Sequence, residues 1–332
     1  GGGFARGLGG GARAALQGDV MVSRGGGSHL VPSFVTVWVA AGVAFRPFHP
    51  LRWYNIGRLN NRTHRKLLVV DGRIGYTGGV GIAQLWTGHA QDPEHWRDTH
   101  FRVEGPVVAQ MQSAFVDNWV KSAQTVLHGN DYFPPLQPLT ENSAQASGPS
   151  VATQMFNSSP EGGSESMELM YLLAITAAER SIQLASAYFV PDARARKAIE
   201  DAIKRGVKVQ IITPGRYMDN GIVRSASRSR WGGLLQAGTE MYEYQPTMFH
   251  CKVMIVDEWF VSVGSTNFDP RSFRLNNEAN LNVFDSGFAR QQSDIFNEDL
   301  AKSRRITYAE WKARPLPEKI WEQVASLFGP ML

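Results

Sequence analysis

The chain has 332 residues, 43% of them hydrophobic, and its 34 basic and 30 acidic side chains leave a formal charge of +4. That length supports one large core or two fused ones, and so slight a basic excess excludes a nucleic-acid-binding tail. A single cysteine excludes an internal disulfide, and the longest mostly apolar stretch, residues 34–45, is well short of the ~20 residues a membrane-spanning helix needs.

Residues 1–17 hold seven glycines and read as a weakened helix over 4–16, without the charged start and apolar centre of a secretory signal. A strand is predicted at 19–23. The segment Leu51-Arg52-Trp53-Tyr54 packs as a loop or meets a lipid head group at a membrane interface. From His64 an apolar run ends in the turn signal Asp71-Gly72, so a strand and hairpin are expected there. Alternation would put His64 and Lys66 on one face, ~6.5 Å apart along the strand, with Arg65 and Leu67 on the other and Asp71 at the turn. Asp98 precedes the alternating Phe101-Arg102-Val103.

Residues 136–150, rich in Pro, Ser, Asn, Gln and Ala, read as a linker. Beyond it the pattern predicts a helix over 166–178, a strand over 181–190, a second helix, a strand over 207–213 and a helix over 221–236. Gly162-Gly163-Ser164-Glu165-Ser166 reads as a helix cap in preference to a phosphate site. His250-Cys251-Lys252 and Asp257 repeat the earlier pattern, with Cys251 turned into the core, and Glu278 precedes Leu281-Asn282-Val283. The tail, 306–332, spaces Trp311, Leu316, Ile320, Trp321, Val324 and Leu327 almost as a helix; docking onto the body is favoured over a membrane-surface anchor.

The two His-Lys segments are a repeat. In each, Lys follows His by two, Asp by seven, and a Gly-Gly or Gly-Ser pair begins fourteen on, an offset of 186 between copies. The likeness extends outward, from Ala41-Gly42 and Ala237-Gly238 at an offset of 196 to Gln112-Ser113 and Gln292-Ser293 at 180. The unit is therefore a half-domain, and the strand-helix alternation predicts an α/β sandwich. By this symmetry the first half lacks an opening strand and helix.

One His with one Lys is half a site; two copies about a pseudo-twofold axis bring two imidazoles and two ammoniums together. That set suits a phosphodiester. One imidazole attacks phosphorus, the other protonates the departing oxygen, and Lys66 and Lys252 hold the non-bridging oxygens, with no metal or cofactor required. Asp98 and Glu278, superposed by the 180 offset, are the expected carboxylates on the second nitrogens of the histidines. Asp71 and Asp257 have the parity of a supporting role.

These residues resemble the phospholipase D superfamily, whose motif is His-x-Lys, four residues, Asp, then Gly-Gly or Gly-Ser followed by Asn. Within it, residues 64–82, 96–119, 188–192 and 264–273 most resemble bacterial cardiolipin synthase-like proteins, and the likeness covers nearly the whole chain. The resemblance implies two pseudo-symmetric halves, each a mixed β-sheet flanked by helices, forming one α/β/α/β/α sandwich with the active site between them. The halves would be 1–135 and 151–305, joined by 136–150 and followed by the 306–332 tail. It implies a phosphatidyltransferase that takes phosphatidylglycerol through a phosphohistidine, with His64 as nucleophile and His250 as the acid. Asn267, Ser265 and Gly79 are placed on the substrate side, with Arg52, Trp53 and Tyr54 as lipid contacts. The expected setting is an anionic membrane surface, peripheral to the cytoplasmic face of the inner membrane, with any anchor upstream. One departure is that the position of Asn267 is Gly81 in the first copy, so the site should be asymmetric.

A phospholipase would use the same intermediate and resolve it with water. A superfamily nuclease is disfavoured because no basic stripe with stacking aromatics is present. A non-catalytic membrane-binding protein is the rival from another class.

Overall fold

The computed structural model describes residues 19–23, 36–37, 39–48, 62–135, 151–160 and 166–327. The 4–16 helix, Arg52, Trp53 and Tyr54, the linker and the glycines of 162–163 lie outside the described residues.

The first half contributes β1 (Asp19–Ser23), β2 (Ala44–Phe48), the short β3 (Arg62–Thr63), β4 (Leu67–Val70), β5 (Ile74–Gly78), β6 (His100–Glu104) and α1 (Val107–Ala123). The second half opens with β7 (Ala152–Ser158), α2 (Ser166–Ala177), β8 (Ser181–Ser186), α3 (Ala193–Lys204), β9 (Lys208–Pro214), α4 (Gly221–Ser229) and α5 (Trp231–Ala237). It continues through β10 (Glu240–Tyr244), β11 (Lys252–Val256), β12 (Phe260–Gly264), α6 (Pro270–Arg274), β13 (Asn276–Phe284), α7 (Ser286–Ala301) and β14 (Ser303–Ile306). Helices α8 (Tyr308–Lys312) and α9 (Leu316–Leu327) form the tail.

The large sheet runs β14-β10-β9-β8-β11-β12-β13, and β13 also pairs with β7 and, at its start, with β3 of the first half. Strands β8, β9 and β10 are parallel, joined through helices, while β11, β12 and β13 form an antiparallel meander. Val253, Met254, Ile255 and Val256 are all nearly inaccessible, the unbroken apolar run of a strand covered on both faces. One face packs on α2, α3 and α5 through Met167, Tyr171, Ile199 and Leu234. The other meets α1 and α7 through Met111, Ala289 and Phe296, and the same core takes in Leu67, Val69, Phe101 and Val103 of the three-stranded sheet β4-β5-β6. Helices α1 and α7 thus lie between two sheets.

The repeat is visible in the fold. Strands β5 and β12 match end for end at an offset of 186, and β2 matches β10 at 196. β1 pairs in parallel with β2 as β9 does with β10. Among the described residues no strand joins β1 to β4, the place β8 takes in the second half, and the outer helix layer of the first half is likewise not among them. Leu68 and Val70 are 45% and 38% exposed, whereas their counterparts Met254 and Val256 are 0% and 6% exposed beneath α2, α3 and α5.

Two expectations are corrected. The helix over 221–236 is two helices broken at Arg230, because Gly232 and Gly233 weaken helix there and Gly232 admits the ring of Trp311, which would collide with a Cβ. The tail docks only in part. Trp311 donates its indole N–H to the Arg228 carbonyl at 2.7 Å, and α9 turns Ala325 and the ion-paired Glu322 inward, leaving Leu316, Ile320, Trp321, Val324 and Leu327 41–77% exposed.

Candidate active site

His64 and His250 stand just before the strands that follow them, and Lys252 is the first residue of β11. The motif is therefore anchored to a strand end and not carried within the strand as the alternation suggested. What holds each histidine is backbone from the opposite half. The N–H of His64 donates to the carbonyl of Asn277 at 2.9 Å, and that of His250 to the carbonyl of Arg97 at 2.7 Å. In each case the residue that follows the accepting carbonyl is the partner acid.

The pairing is crossed between the halves. His64 Nδ1 lies 3.0 and 3.1 Å from the two oxygens of Glu278, and His250 Nδ1 lies 2.6 Å from Asp98 Oδ2. Both carboxylates are sealed, at 0% and 1% side-chain exposure. Burial works to raise each, but its histidine and the nearby lysines outweigh it and hold both below the usual carboxylate range. An ionised acid on Nδ1 makes that nitrogen the proton-bearing one, so Nε2 presents its lone pair to the cleft.

Lys252 Nζ donates to the His250 carbonyl at 2.6 Å and stands 3.2 Å from Nε2; Lys66 Nζ donates to the His64 carbonyl at 3.2 Å. Burial, then the charge of Lys252, pushes Lys66 down to about 8. His250 is pushed down to about 4 by burial and then by Lys252, and His64 is lowered, chiefly by burial. Each lysine acts on the histidine of the other half as well as its own, so the four groups form one electrostatic cluster. His64 is the more open, with 27% of its side chain exposed against 8% for His250.

The remaining expected residues fall in distinct places. Asp257 takes a positive φ of 55° in the β11–β12 turn and accepts from the backbone N–H groups of Glu179, Arg180 and Ser181 at 2.8–2.9 Å. It ties the hairpin to the start of β8. Asp71 takes the same conformation, φ 53°, in the β4–β5 turn. Neither is hydrogen-bonded to a histidine; Asp257 braces its hairpin through the backbone bonds, and Asp71 stands at the matching turn. Gly79 and Ser265 stand against the two acids. A Cβ at Gly79 would collide with the Asp98 carboxylate, and the Ser265 hydroxyl donates to Glu278 Oε2 at 2.5 Å. Asn267 is buried at 3% exposure with its amide oxygen unpartnered. Cys251 is a core thiol at 1% exposure.

Sequence reasoning missed Trp86, whose indole N–H donates to Asp98 Oδ2 at 3.0 Å. It also missed Trp96, which with Trp86 encloses His250 at ring-centroid distances of 5.4 and 5.6 Å. The signal that could have found Trp86 was the gap at Gly81, where a side chain would meet its ring. Among the described residues, no helix is long and apolar enough to cross a membrane.

The family model for the cardiolipin synthase, PLD-like domain matches residues 171–300. The chain is 35% identical over 325 residues to the major cardiolipin synthase ClsA of Bacillus subtilis, covering 97% of this chain and 65% of that protein. It is 35% identical over 308 residues to cardiolipin synthase A of Pseudomonas putida, covering 92% and 62%. The chain thus spans less than two thirds of the length of these relatives. The crystal structure of phosphatidylserine synthase from Haemophilus influenzae superposes with a TM-score of 0.66 over 95% of this chain and 90% of that one, at 12% identity, a likeness of fold. With a duplicated motif whose halves complete each other, the chain carries a phospholipase D-like domain and is similar along nearly its full length to bacterial cardiolipin synthases.

Proposed function

We propose that this chain is the catalytic part of a phosphatidyltransferase of cardiolipin synthase type. The observation that carries the reading is the crossed pairing: two imidazoles, each oriented by a buried carboxylate of the other half, with both lysines acting on both rings. Nε2 of His64, the more open ring, attacks the phosphorus of phosphatidylglycerol. The P–N bond forms as the P–O bond to glycerol breaks, and His250 gives its Nε2 proton to the departing alkoxide. A hydroxyl of a second phosphatidylglycerol then attacks phosphorus, its proton passes to His250, and the P–N bond breaks to release cardiolipin.

Acid work by His250 requires a proton that its depressed affinity withholds in the empty site. The substrate supplies the remedy, since a phosphodiester anion among Lys66, Lys252 and the two rings favours every cationic form there. Binding and protonation are coupled. Asn267, by its place two residues beyond Ser265 in the second copy of the motif, is a phosphate contact through its NH2 group.

A peripheral position on a lipid surface is part of this reading, and the exposed apolar residues of α9 support it. Leu316, Ile320, Val324 and Leu327 recur at helical spacing with Trp321 beside them, the pattern of a helix that lies in an interface.

The test is incubation with phosphatidylglycerol in mixed micelles, with lipid products read by mass spectrometry. Cardiolipin plus glycerol, lost in His64→Ala and in His250→Ala, is expected. Phosphatidic acid plus glycerol would make the chain a phospholipase, and no lipid product would overturn the reading.

A further inference from the structure

The two copies hold their acids with different donors. In the second copy the residue fifteen after the histidine is Ser265, whose hydroxyl supports Glu278. In the first copy that residue is Gly79, and no side chain fits there because a Cβ would strike the Asp98 carboxylate. The donor comes instead from Trp86, which stands at the end of a single 3-10 turn, Gln84–Trp86, and reaches the same Oδ2 that receives His250. Two residues beyond Gly79 the second copy has Asn267 and the first has Gly81. A Cβ on Gly81 would lie 3.0 and 3.1 Å from ring carbons of Trp86, so the indole occupies the room a side chain at 81 would need. The turn is pinned where it stands. The N–H of Trp96 donates to the carbonyl of Leu85 at 2.7 Å, that of Arg97 to Met248 at 2.9 Å, and Arg97 grips Asp299 through two bonds of 2.8–2.9 Å.

We propose that Trp86 is a positioning residue for the Asp98–His250 pair, and that Gly81 is the space it requires, so that the first copy has exchanged a side chain at position 81 for an indole that holds the acid. Trp86 acts in two ways. Its N–H takes a lone pair of Asp98 Oδ2 and limits the pull of that carboxylate on the His250 proton. Its ring, packed edge-on against His250 and against Trp96 at 5.0 Å, keeps the pair dry. The charged groups facing His250 are Asp98, Lys252 and Lys66, and none of them is altered by changing Trp86. The consequence is a working asymmetry: His64 is oriented by an acid held by a hydroxyl, His250 by an acid held inside an aromatic wall.

This inference rests on the site being catalytic, and one readout is chosen to be independent of turnover. In Trp86→Phe the ring stays and the N–H goes; in Trp86→Ala both go. The ring-proton resonances of His250, followed by NMR across pH, should titrate at higher pH in both variants, further in the alanine. With phosphatidylglycerol, kcat of Trp86→Phe should fall roughly ten- to a hundredfold, the loss expected for one hydrogen bond to a charged group, with little change in KM. Gly81→Asn should lose a similar factor by displacing the indole, and Gly81→Asn combined with Trp86→Ala should be more active than Gly81→Asn alone. An unmoved His250 titration, a kcat within twofold of the unaltered chain for Trp86→Phe, or a double variant showing the simple product of the two single losses would each overturn the proposal. If the unaltered chain turns over no lipid, the functional reading fails, while the His250 titration still decides the role of Trp86.

Discussion

Replacing Glu278 by glutamine keeps the shape of the side chain and removes one charge. In the folded chain the carboxylate accepts from His64 at 3.0 and 3.1 Å, from Ser265 at 2.5 Å and from the Asn276 amide at 3.2 Å. The glutamine oxygen can keep Ser265, but its NH2 then faces His64 Nδ1. Two donors cannot face each other, so the ring must take the other tautomer, placing its proton on Nε2 and removing the lone pair that attacks phosphorus. A hydrogen bond to a charged group contributes about 1.5–3 kcal/mol, which alone is roughly ten- to 150-fold in rate. Reversal of the tautomer adds to this, and a fall in kcat on the order of a thousandfold is expected. Single-turnover kinetics should show the loss in formation of the covalent phosphate intermediate, with the thermal midpoint confirming that the variant is folded. A folded Glu278→Gln with kcat within fivefold of the unaltered chain would refute the view that this carboxylate sets the state of His64.

Three further changes separate catalysis from support. Lys66→Met should abolish turnover yet raise the thermal midpoint at pH 7. Folding lowers Lys66 from 10.5 to about 8, so below pH 8 the folded state bears a penalty on the order of 1–3 kcal/mol that the methionine lacks; the gain should shrink as pH rises from 8 towards 10.5 and the unfolded chain also loses the proton. Asp257→Ala should destabilise by about 1–3 kcal/mol in denaturant titrations, through the loss of its backbone hydrogen bonds and of a residue suited to positive φ. Its kcat per folded molecule should be unchanged, and a selective loss of kcat would make the aspartate part of the chemistry. Ile320→Asp with Leu327→Asp should cut cosedimentation with anionic vesicles at least tenfold while sparing turnover of a dispersed short-chain phosphatidylglycerol; equal sedimentation would remove α9 from the membrane contact.

The sequence carried the duplication, because the repeat of His, Lys, Asp and a glycine pair at fixed spacing lies within a single strand-hairpin unit of some fifteen residues. For the same local reason it carried the turn role of Asp257, the buried thiol of Cys251 and the helix and strands near 166–213. It also singled out Asp98 and Glu278, through the 180 offset. It could not say which acid serves which histidine, because that pairing is made across the halves by the backbone bonds His64 to Asn277 and His250 to Arg97. The contact of Ser265 with Glu278 and of Gly79 with Asp98 was hidden for the same reason, since spacing along the chain does not say which carboxylate a residue will meet.

Local periodicity and internal repetition are properties of contiguous residues, so the chain by itself determined its two-copy α/β organisation and the inventory of imidazoles, ammoniums and carboxylates. The crossing of those groups, the burial that drives Lys66 to about 8 and His250 to about 4, and the entry of Trp86 into the room left at Gly81 were decided only by tertiary structure. Each depends on groups brought together from distant parts of the chain, and on how completely that packing removes them from water.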